Sequence, residues 1–224
     1  MIFDIINKRQ HVYQYDKDNI PTQELMEDIL EKAWQATPSK QNMMPYHVNI
    51  LGPSHNDYKR KIYKKVVGND KEMSENNENF DPAKFQVNPD YEHVLYNPYL
   101  LLFSQRVCNK DEINAFYKRR VENHNHFMEQ CDPKWTEDIL GTTGVEIGLF
   151  AQNLSILCLD NDLYYSFCTC FSGKRDNWVN IPFVKGTPLL LMSVGYPKMF
   201  RRQRNPIYKL DKKTALDNVV KFIA

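Results

Sequence analysis

The clearest pattern of hydrophobic and polar positions lies in residues 22–35, TQELMEDILEKAWQ. Its apolar side chains recur at the i, i+1, i+4, i+5 spacing that places them on one face of a helix. Pro21 and Thr22 mark the start of this helix, and Pro38 marks its end. The segment therefore predicts an amphipathic helix that packs one side against a core.

The same reading places further elements along the chain. Continuous apolar runs bounded by proline and glycine predict strands, and helical spacing predicts more helices. The predicted strands cover residues 47–51, 99–104, 164–171 and 187–197, and the other predicted helices cover about 56–67, 143–159 and 214–224. Helices and strands are mixed without regular βα alternation, which favours an α+β fold over a doubly wound fold.

The third predicted helix is the most apolar. Thr143 and Glu146 have the spacing of a capping box, which predicts that this helix starts at Thr143. From Val145 to Leu159 the segment is apolar nearly all round, so we expect it to be buried on most faces. In a protein of this size, such a central helix often also contacts a second subunit.

Composition is that of a soluble globular protein. The chain has 224 residues, of which 42% are hydrophobic and 25% charged, and we expect one domain over 1–224. The formal net charge of +1 gives no reason to expect nucleic acid or membrane binding. No run of about 18 apolar residues and no signal peptide is visible. The odd number of cysteines, 5, favours a reducing, cytoplasmic setting.

Two polar segments interrupt the apolar pattern. Residues 68–90 are rich in Asn and Glu and predict a long surface loop, and residues 109–138 predict a variable helical insertion. Within that insertion, His124, His126 and Cys131 lack the spacing of a zinc site, so no metal is expected. Cys168 and Cys170 are expected to be buried, inert thiols.

The loop TPSKQNMMPYH after the first long helix concentrates prolines and hydrogen-bonding side chains, as binding loops on rigid frames do. A basic segment and IP-x-x-E-L precede it, a helix containing A-Q-N-L follows, and GYP with R-x-R-x-P comes near the end. In this order, with the loop as PS-x-x-N-x-x-P-Y, the segments resemble the FMN-dependent nitroreductase family. The resemblance covers most of the chain and omits residues 55–90 and 109–138.

The resemblance implies an α+β nitroreductase-like fold, with a mainly antiparallel central sheet flanked by helices in an intertwined homodimer. It implies one FMN at each end of the dimer interface, held by residues of both chains. NADH or NADPH would donate electrons transiently, and a small acceptor of the nitroaromatic, quinone or enone type would be reduced in a ping-pong cycle.

Candidate site residues follow from the matching positions. The PS-x-x-N loop matches positions that line the flavin ring, where the Asn42 amide can both donate and accept. Arg9, Arg202 and Arg204 match phosphate-facing cations, and an i, i+2 pair in an extended chain can face one phosphate. The expected cofactor-binding residues are Arg9, Gln10, His11, Tyr13, Pro38, Ser39, Lys40, Asn42, Asp90, His93, Arg202 and Arg204.

Several positions depart from the family pattern. His11 and Tyr13 stand where the family often has a serine and a second cation, and Asp90 and His93 stand at an asparagine and a lysine. Those cations lie near the flavin edge that becomes negative on reduction. We hypothesise that His93, alone or with His11, supplies part of that charge, because an anion raises the pKa of a neighbouring histidine.

A second departure leaves other functions open. Tyr164 and Tyr165 stand where the family often has a G-L-G stretch, so close backbone approach to the ring is lost. One alternative is a low-turnover flavin-binding, storage or redox-partner protein. Another is a specialised flavin dehydrogenase or reductive dehalogenase of the same fold, in which the insertion at 109–138 grips one substrate.

Overall fold

The computed structural model describes residues 2–67, 91–106, 108, 122–123, 125–126, 133–169, 181–184 and 188–200. Its helices are α1 (Ile2–Asn7), α2 (Gln23–Ala36), α3 (Asn56–Val67), α4 (Glu92–Leu95) and α5 (Pro133–Asp160), with a short 3-10 helix at Lys40–Asn42. Its strands are β1 (Val12–Tyr15), β2 (Tyr46–Leu51), β3 (Tyr99–Gln105), β4 (Tyr164–Cys168), β5 (Pro188–Gly195) and β6 (Pro197–Phe200).

The described strands form two antiparallel sheets. Four strands lie in the order β2-β3-β5-β4, and β1 pairs with β6 in a separate two-stranded sheet. β3 is buried along its whole length, and successive side chains of a strand point to opposite faces. Leu101 and Phe103 therefore pack toward α2 and α5, whereas Leu100 and Leu102 pack toward α3 and α4. The predicted α+β class and mainly antiparallel sheet are confirmed.

The locally patterned elements are where the sequence predicted them. The Thr22 side chain accepts a hydrogen bond from the Leu25 amide N at 3.2 Å and caps α2. The buried face of α2 carries Met26, Ile29 and Ala33, as its spacing requires. The predicted segments 47–51, 56–67 and 99–104 match β2, α3 and β3 to within one residue.

The prediction for the central helix was wrong at its start and on one of its faces. α5 begins at Pro133, so Thr143 lies inside the helix, and residues 133–138 of the predicted helical insertion form its start. The Glu146 carboxylate, which a capping box would direct to the helix start, contacts Ser39. Val145 and Leu149 are 65% and 42% exposed, so α5 presents one apolar side away from the core of its own chain.

Short elements were missed because long-range contacts stabilise them. α1, β1, α4 and β6 have 4 to 6 residues each, too few for a periodic pattern. β1 is held by its pairing with β6, in which Val12 lies opposite Phe200 and Tyr15 opposite Pro197. The predictions for 68–90, for 214–224, for Cys131 and Cys170 and for most of 109–132 fall outside the described residues.

α5 is long and apolar enough, from Gly141 to Asp160, to cross a membrane by length and composition alone. Its mean hydropathy there is 1.2, and half of the segment is buried inside the protein, as in the core helix of a soluble protein. The expectation of no such segment rested on an unbroken apolar run, which Gln152, Asn153 and Ser155 interrupt.

Position 195, in the GYP segment at the end of β5, requires glycine because two side-chain rings approach its backbone closely. A Cβ at this position would lie 2.7 Å from the ring of Pro98 and 2.9 Å from the ring of Tyr15. The absence of a side chain therefore lets the start of β3 and the end of β1 meet over β5.

A buried lysine joins α3 to the segment before β3. The Lys59 side chain is fully buried, and its Nζ donates to the backbone oxygens of Asn97 at 2.7 Å and Pro98 at 3.0 Å. Burial lowers the pKa of Lys59 from 10.5 to about 8, because an ammonium loses hydration inside the protein.

The lowered pKa predicts a pH-dependent contribution to stability. Between pH 8 and pH 10.5 the unfolded chain holds a proton on Lys59 that the folded chain has lost, so stability rises with pH in this window. Between pH 8 and pH 10.5, the free energy of unfolding of the wild type should therefore rise by about 1–2 kcal/mol relative to that of Lys59→Met. This range allows for partial solvation of the amine. Urea unfolding at several pH values measures this difference.

Lys61→Met is the matched control, because Lys61 is an exposed lysine on the same helix and stacks on Tyr58 at 5.6 Å. The difference in free energy of unfolding between Lys61→Met and the wild type should not change between pH 8 and pH 10.5. A wild-type minus Lys59→Met difference that stays constant over this range would show that Lys59 has an ordinary pKa.

Candidate functional site

The proline loop, which we define as residues 37–44, is fastened to α5 by a buried carboxylate. The Ser39 hydroxyl donates to Glu146 Oε2 at 2.6 Å, and the Lys40 amide N donates to Oε1 at 3.4 Å. Ser39 Oγ also accepts from the Met44 amide N at 2.9 Å. One hydroxyl thus closes the loop on itself and ties it to the helix.

A second tie fixes the point where α2 ends and the loop begins. The buried Thr37 hydroxyl donates to the Ala33 carbonyl at 2.6 Å and accepts from Asn153 Nδ2 at 3.0 Å. Because Asn153 lies two turns beyond Glu146 on α5, the helix holds both the start and the middle of the loop.

Arg106, which directly follows β3, holds the far end of the loop. Its guanidinium donates to the carbonyl of Met43 at 2.6 Å and to that of Met44. Asn42 and Met44 have φ values of 54° and 42°, a left-handed conformation that costs non-glycine residues about 1 kcal/mol or more each. The guanidinium and Glu146 contacts offset this cost and hold the loop in a conformation that leaves Asn42 exposed.

A second group of predicted residues meets elsewhere; we define the histidine cluster as Arg9, His11, Tyr13, His93 and Tyr165. The His11 ring lies edge-on to His93 at 5.1 Å and to Tyr13 at 5.7 Å between centroids. The exposed Arg9 guanidinium carbon lies 6.0 Å from the centre of the Tyr165 ring. His93 and Tyr165 are both 4% exposed, so Arg9 and His11 lie against two buried aromatic side chains.

Polar contacts bring the histidine cluster together. Ser166 Oγ accepts from the amide N of Val12 at 3.0 Å and donates to its carbonyl at 2.7 Å, which fastens β1 to β4. The Gln14 amide donates to both Glu92 carboxylate oxygens, at 3.1 and 3.0 Å, which fastens α4 to β1. Since α4 carries His93, these bonds set the position of His93 beside His11.

The proline loop and the histidine cluster lie beside different parts of α5. Glu146 contacts the loop, whereas Asp162, just beyond the end of α5 at Asp160, forms an ion pair at 3.1 Å with Lys8 beside the cluster. Asp160 lies fourteen positions after Glu146 and seven after Asn153, which corresponds to about 21 Å and about 10 Å along the helix at about 1.5 Å per residue. The two groups therefore meet α5 at different points along its length.

Exposed apolar side chains lie on α5 and on the two helices that pack against it. α1 and α2 both pack against α5, and each of the three carries large hydrophobic residues that its own chain leaves uncovered. They are Ile2 (59% exposed), Phe3 (67%) and Ile6 (40%) on α1, Trp34 (56%) on α2, and Val145 (65%) and Leu149 (42%) on α5. Apolar surface of this kind is typical of a protein–protein interface.

The structure thus divides the predicted site residues into two groups. Pro38, Ser39, Lys40 and Asn42 lie in the proline loop, and Arg9, Gln10, His11, Tyr13 and His93 lie at or beside the histidine cluster. Asp90, Arg202 and Arg204 fall outside the described residues. The Ser39 hydroxyl is engaged within the loop, so Ser39 positions the loop, and its contact with a flavin stays a prediction.

Two residues that shape the site were not among the predicted ones. Glu146 was assigned to a capping box, and Arg106 had no signal beyond a cation directly after a buried strand. Both also act on Tyr46, whose pKa is raised to about 12 mainly by burial and further by the Glu146 charge, against the opposing charge of Arg106. Tyr46 is therefore a neutral phenol near pH 7.

No protein-family model matches the chain, and a search of curated proteins gives no match. Solved structures do share its fold. A nitroreductase-like protein from Streptococcus mutans is 16% identical, with a TM-score of 0.63 and 100% of both chains covered. A protein from Exiguobacterium sibiricum in complex with FMN, provisionally described as a nitroreductase, is 12% identical, with a TM-score of 0.65 over 100% of this chain and 97% of that chain.

A third structure carries a nicotinamide. The NADPH:FMN oxidoreductase from Vibrio harveyi, complexed with NAD+, is 15% identical, with a TM-score of 0.56 over 89% of this chain and 70% of that chain. At such low identity the likeness concerns the fold, and the chain has the fold that these three proteins share.

The Ser39–Glu146 contact predicts a large coupling energy. In a double-mutant cycle of Ser39→Ala and Glu146→Ala, the coupling should be about 1.5–3 kcal/mol, because a buried carboxylate loses a charge-assisted hydrogen bond. Urea unfolding of the four proteins measures it. The Asp28–Lys32 ion pair, at 2.7 Å with both side chains about half exposed, is the control and should give about 0.5 kcal/mol or less. Equal coupling in the two cycles would contradict the proposed anchoring of the loop.

Proposed function

From the nitroreductase-like fold of this chain, we propose a homodimeric, FMN-binding oxidoreductase that takes electrons from NADH or NADPH and reduces a small organic acceptor. The separation of the proline loop from the histidine cluster carries the proposal. A two-fold dimer formed through the exposed faces of α1, α2 and α5 would bring the loop of one chain to the cluster of the other. Each of the two pockets would then contain both groups.

The residues present fit FMN. A flavin needs cations for its phosphate, donors and acceptors for its pyrimidine edge, and aromatic or apolar surface for its ring. Arg9 is an exposed cation beside the Tyr165 ring, and the exposed Asn42 amide stands on a loop that is anchored at three points. When bound, FMN supplies a ring that accepts two electrons from a nicotinamide and gives them to an acceptor.

The chain's own residues would hold and tune this group. Arg9 would neutralise phosphate, together with Arg202 and Arg204 as the resemblance implies, and Asn42 would bind the pyrimidine edge. His11 and His93 are in ring contact at 5.1 Å, so two imidazolium charges would repel and at most one proton is held readily. That proton would offset negative charge on the reduced ring.

A second candidate function is a flavin store or redox partner with little turnover. Its support is Tyr13, which is 3% exposed and stands where a second cation is often found, so the cluster has fewer cations than the family pattern implies. Anaerobic stopped-flow mixing with NADH and NADPH distinguishes the two functions. Fast bleaching of bound flavin supports the oxidoreductase, and its absence supports storage.

Further features fit a cytoplasmic, single-domain protein over 1–224. Cys108, Cys158 and Cys168 are present as buried thiols. Burial raises the pKa of Cys158 to about 12, so this thiol stays protonated and is a poor nucleophile. A reducing compartment is consistent with these thiols.

A charged side chain on the exposed face of α5 should prevent both dimerisation and formation of the cofactor site. Leu149→Glu should give a folded monomer, because Leu149 is 42% exposed within its own chain and a buried carboxylate at an interface is costly. Affinity for FMN should fall at least about tenfold, since each pocket would lose half of its residues. Sedimentation velocity and quenching of FMN fluorescence measure the two effects.

Ile50→Glu is the matched control, because Ile50 is 41% exposed but lies on β2, outside the three helices. It should remain dimeric and bind FMN with unchanged affinity. A Leu149→Glu protein that is still a dimer would refute the interface, and a monomer that binds FMN as tightly as the wild type would refute the two-chain pocket.

The histidine hypothesis predicts a change in redox potential. His93→Gln should shift the midpoint potential of bound FMN to a more negative value by about 30 mV or more, which for a two-electron couple is about 1.4 kcal/mol. Equilibration with reference dyes under anaerobic conditions measures the shift. His47→Gln, an exposed histidine on β2, should have no effect. An unaltered potential in His93→Gln would show that His93 does not supply the charge.

A further inference from the structure

The short helix α4 carries His93 and depends on other elements for its position. It has 4 residues, and an isolated helix of this length is unstable in water, because forming the first turn costs more than its few hydrogen bonds return. At its start, the Glu92 carboxylate accepts from the Gln14 amide of β1. At its end, the contacts come from Asn97 and Lys59. The position of His93 therefore depends on both sets of contacts.

The side chain of Asn97 closes the end of α4. Its Nδ2 donates to the backbone carbonyls of His93 and Val94, both at 2.9 Å. The last carbonyls of a helix have no partner within the helix, so the amide supplies donors that the helix itself lacks. Asn97 and His93 are both buried, and an unpaired buried carbonyl is costly. The Asn97 amide thus fixes the backbone of His93.

The backbone of Asn97 is fixed in turn by Lys59. The Lys59 side chain is fully buried, and its Nζ donates to the carbonyls of Asn97 at 2.7 Å and Pro98 at 3.0 Å. Hydrogen bonds from a charged donor are stronger than those between neutral groups. The helix that carries Lys59, α3, also packs against α4. A continuous line of contacts therefore runs from Lys59 through Asn97 to His93.

The ring of His93 moves with this backbone, whereas the ring of His11 is held separately. His93 is 4% exposed and lies edge-on to His11 at 5.1 Å between ring centres. His11 precedes β1, which Ser166 fastens to β4 through both backbone groups of Val12. A shift at the end of α4 would therefore change the distance between the two imidazoles instead of moving them together.

We propose that Asn97 and Lys59 are positioning residues for the flavin site and act through His93. Asn97 holds the end of α4, Lys59 holds Asn97, and together they set the distance between His93 and His11. Neither is among the candidate cofactor-binding residues, so their effect on the flavin is indirect. The redox consequence rests on the proposed function, whereas the arrangement of the two imidazoles is a property of the chain without FMN.

NMR of the full chain without FMN, with isotope-labelled histidine, tests the positioning. The ring protons of His11 and His93 should show a nuclear Overhauser effect, because the ring centres are 5.1 Å apart, and His11→Gln and His93→Gln assign it. Asn97→Ala and Lys59→Met should each weaken this effect by about half or more, because the α4 end loses its buried partners. Lys61→Met, an exposed lysine on α3, should leave it unchanged. An unchanged effect in Asn97→Ala and Lys59→Met would overturn the proposal.

Asn161→Ala is the matched control for Asn97→Ala. Asn161 Nδ2 donates to the Leu157 carbonyl at 2.8 Å, four residues earlier at the end of α5, as Asn97 Nδ2 donates to the carbonyl of His93. The control removes the same kind of bond from a helix that carries neither imidazole, so the effect between the two rings should persist. Its loss in Asn161→Ala as well would show general loosening and would contradict a specific role of Asn97.

The redox potential of bound FMN tests the consequence for the flavin. At a fixed potential, Asn97→Ala should lower the ratio of reduced to oxidised FMN about threefold, which is about 15 mV for a two-electron couple. In a His93→Gln background the same substitution should have no effect, because Asn97 acts through His93. An equal shift with and without His93 would show that Asn97 acts by another route and would overturn the proposal.

The two measurements distinguish a failure of the proposed function from a failure of the positioning. A chain that takes up no FMN would refute the proposed function, and the NMR comparison would still decide whether Asn97 and Lys59 position His93. A chain that binds FMN, but whose imidazole contact and potential are unaltered in Asn97→Ala, would refute the positioning alone.

Discussion

The buried Glu146 carboxylate determines where the proline loop can lie. It accepts hydrogen bonds from the Ser39 hydroxyl and the Lys40 amide, and it is 5% exposed on the central helix. A carboxylate in such a position requires these donors, because an unpaired buried charge is costly. The loop is thereby held beside the first half of the described part of α5. The histidine cluster is held at the other end of the same helix by Ser166 and by the Lys8–Asp162 pair.

This separation connects the fold to the proposed function. The loop is tied to α5 at Glu146 and Asn153, whereas the cluster lies near the residues that follow the end of this helix. The same helix exposes Val145 and Leu149 beside the residues that hold the loop. An interface through that face would bury apolar surface and complete two pockets at once, which is why oligomerisation and cofactor binding are expected to be lost together.

Much of the fold could be predicted from the sequence where the determinants are local. Thr22 and the spacing of Met26, Ile29 and Ala33 define α2, and the unbroken apolar run of β3 reflects its burial on both faces. The start of α5 could not be predicted, because two residues three apart on any helix have the spacing of a capping box.

The candidate site was predictable only in part. The proline loop has a local signature, but the anchoring roles of Glu146 and Arg106 arise from contacts over more than sixty residues of sequence, such as Arg106 to Met43 at a separation of 63. The meeting of His11 and His93 depends on β1 and α4, whose few residues carry no periodic pattern.

The most direct test of the account uses mixed dimers of two tagged chains, one carrying Arg9→Gln and the other Asn42→Gly. Glycine removes the amide and tolerates the positive φ of 54° at this position. Each variant alone should bind FMN weakly, because every pocket lacks one group. The purified mixed dimer should regain one tight FMN site per two chains, since one of its pockets combines the intact Arg9 of one chain with the intact Asn42 of the other. A mixed dimer that binds FMN no better than either parent would contradict a pocket shared between two chains.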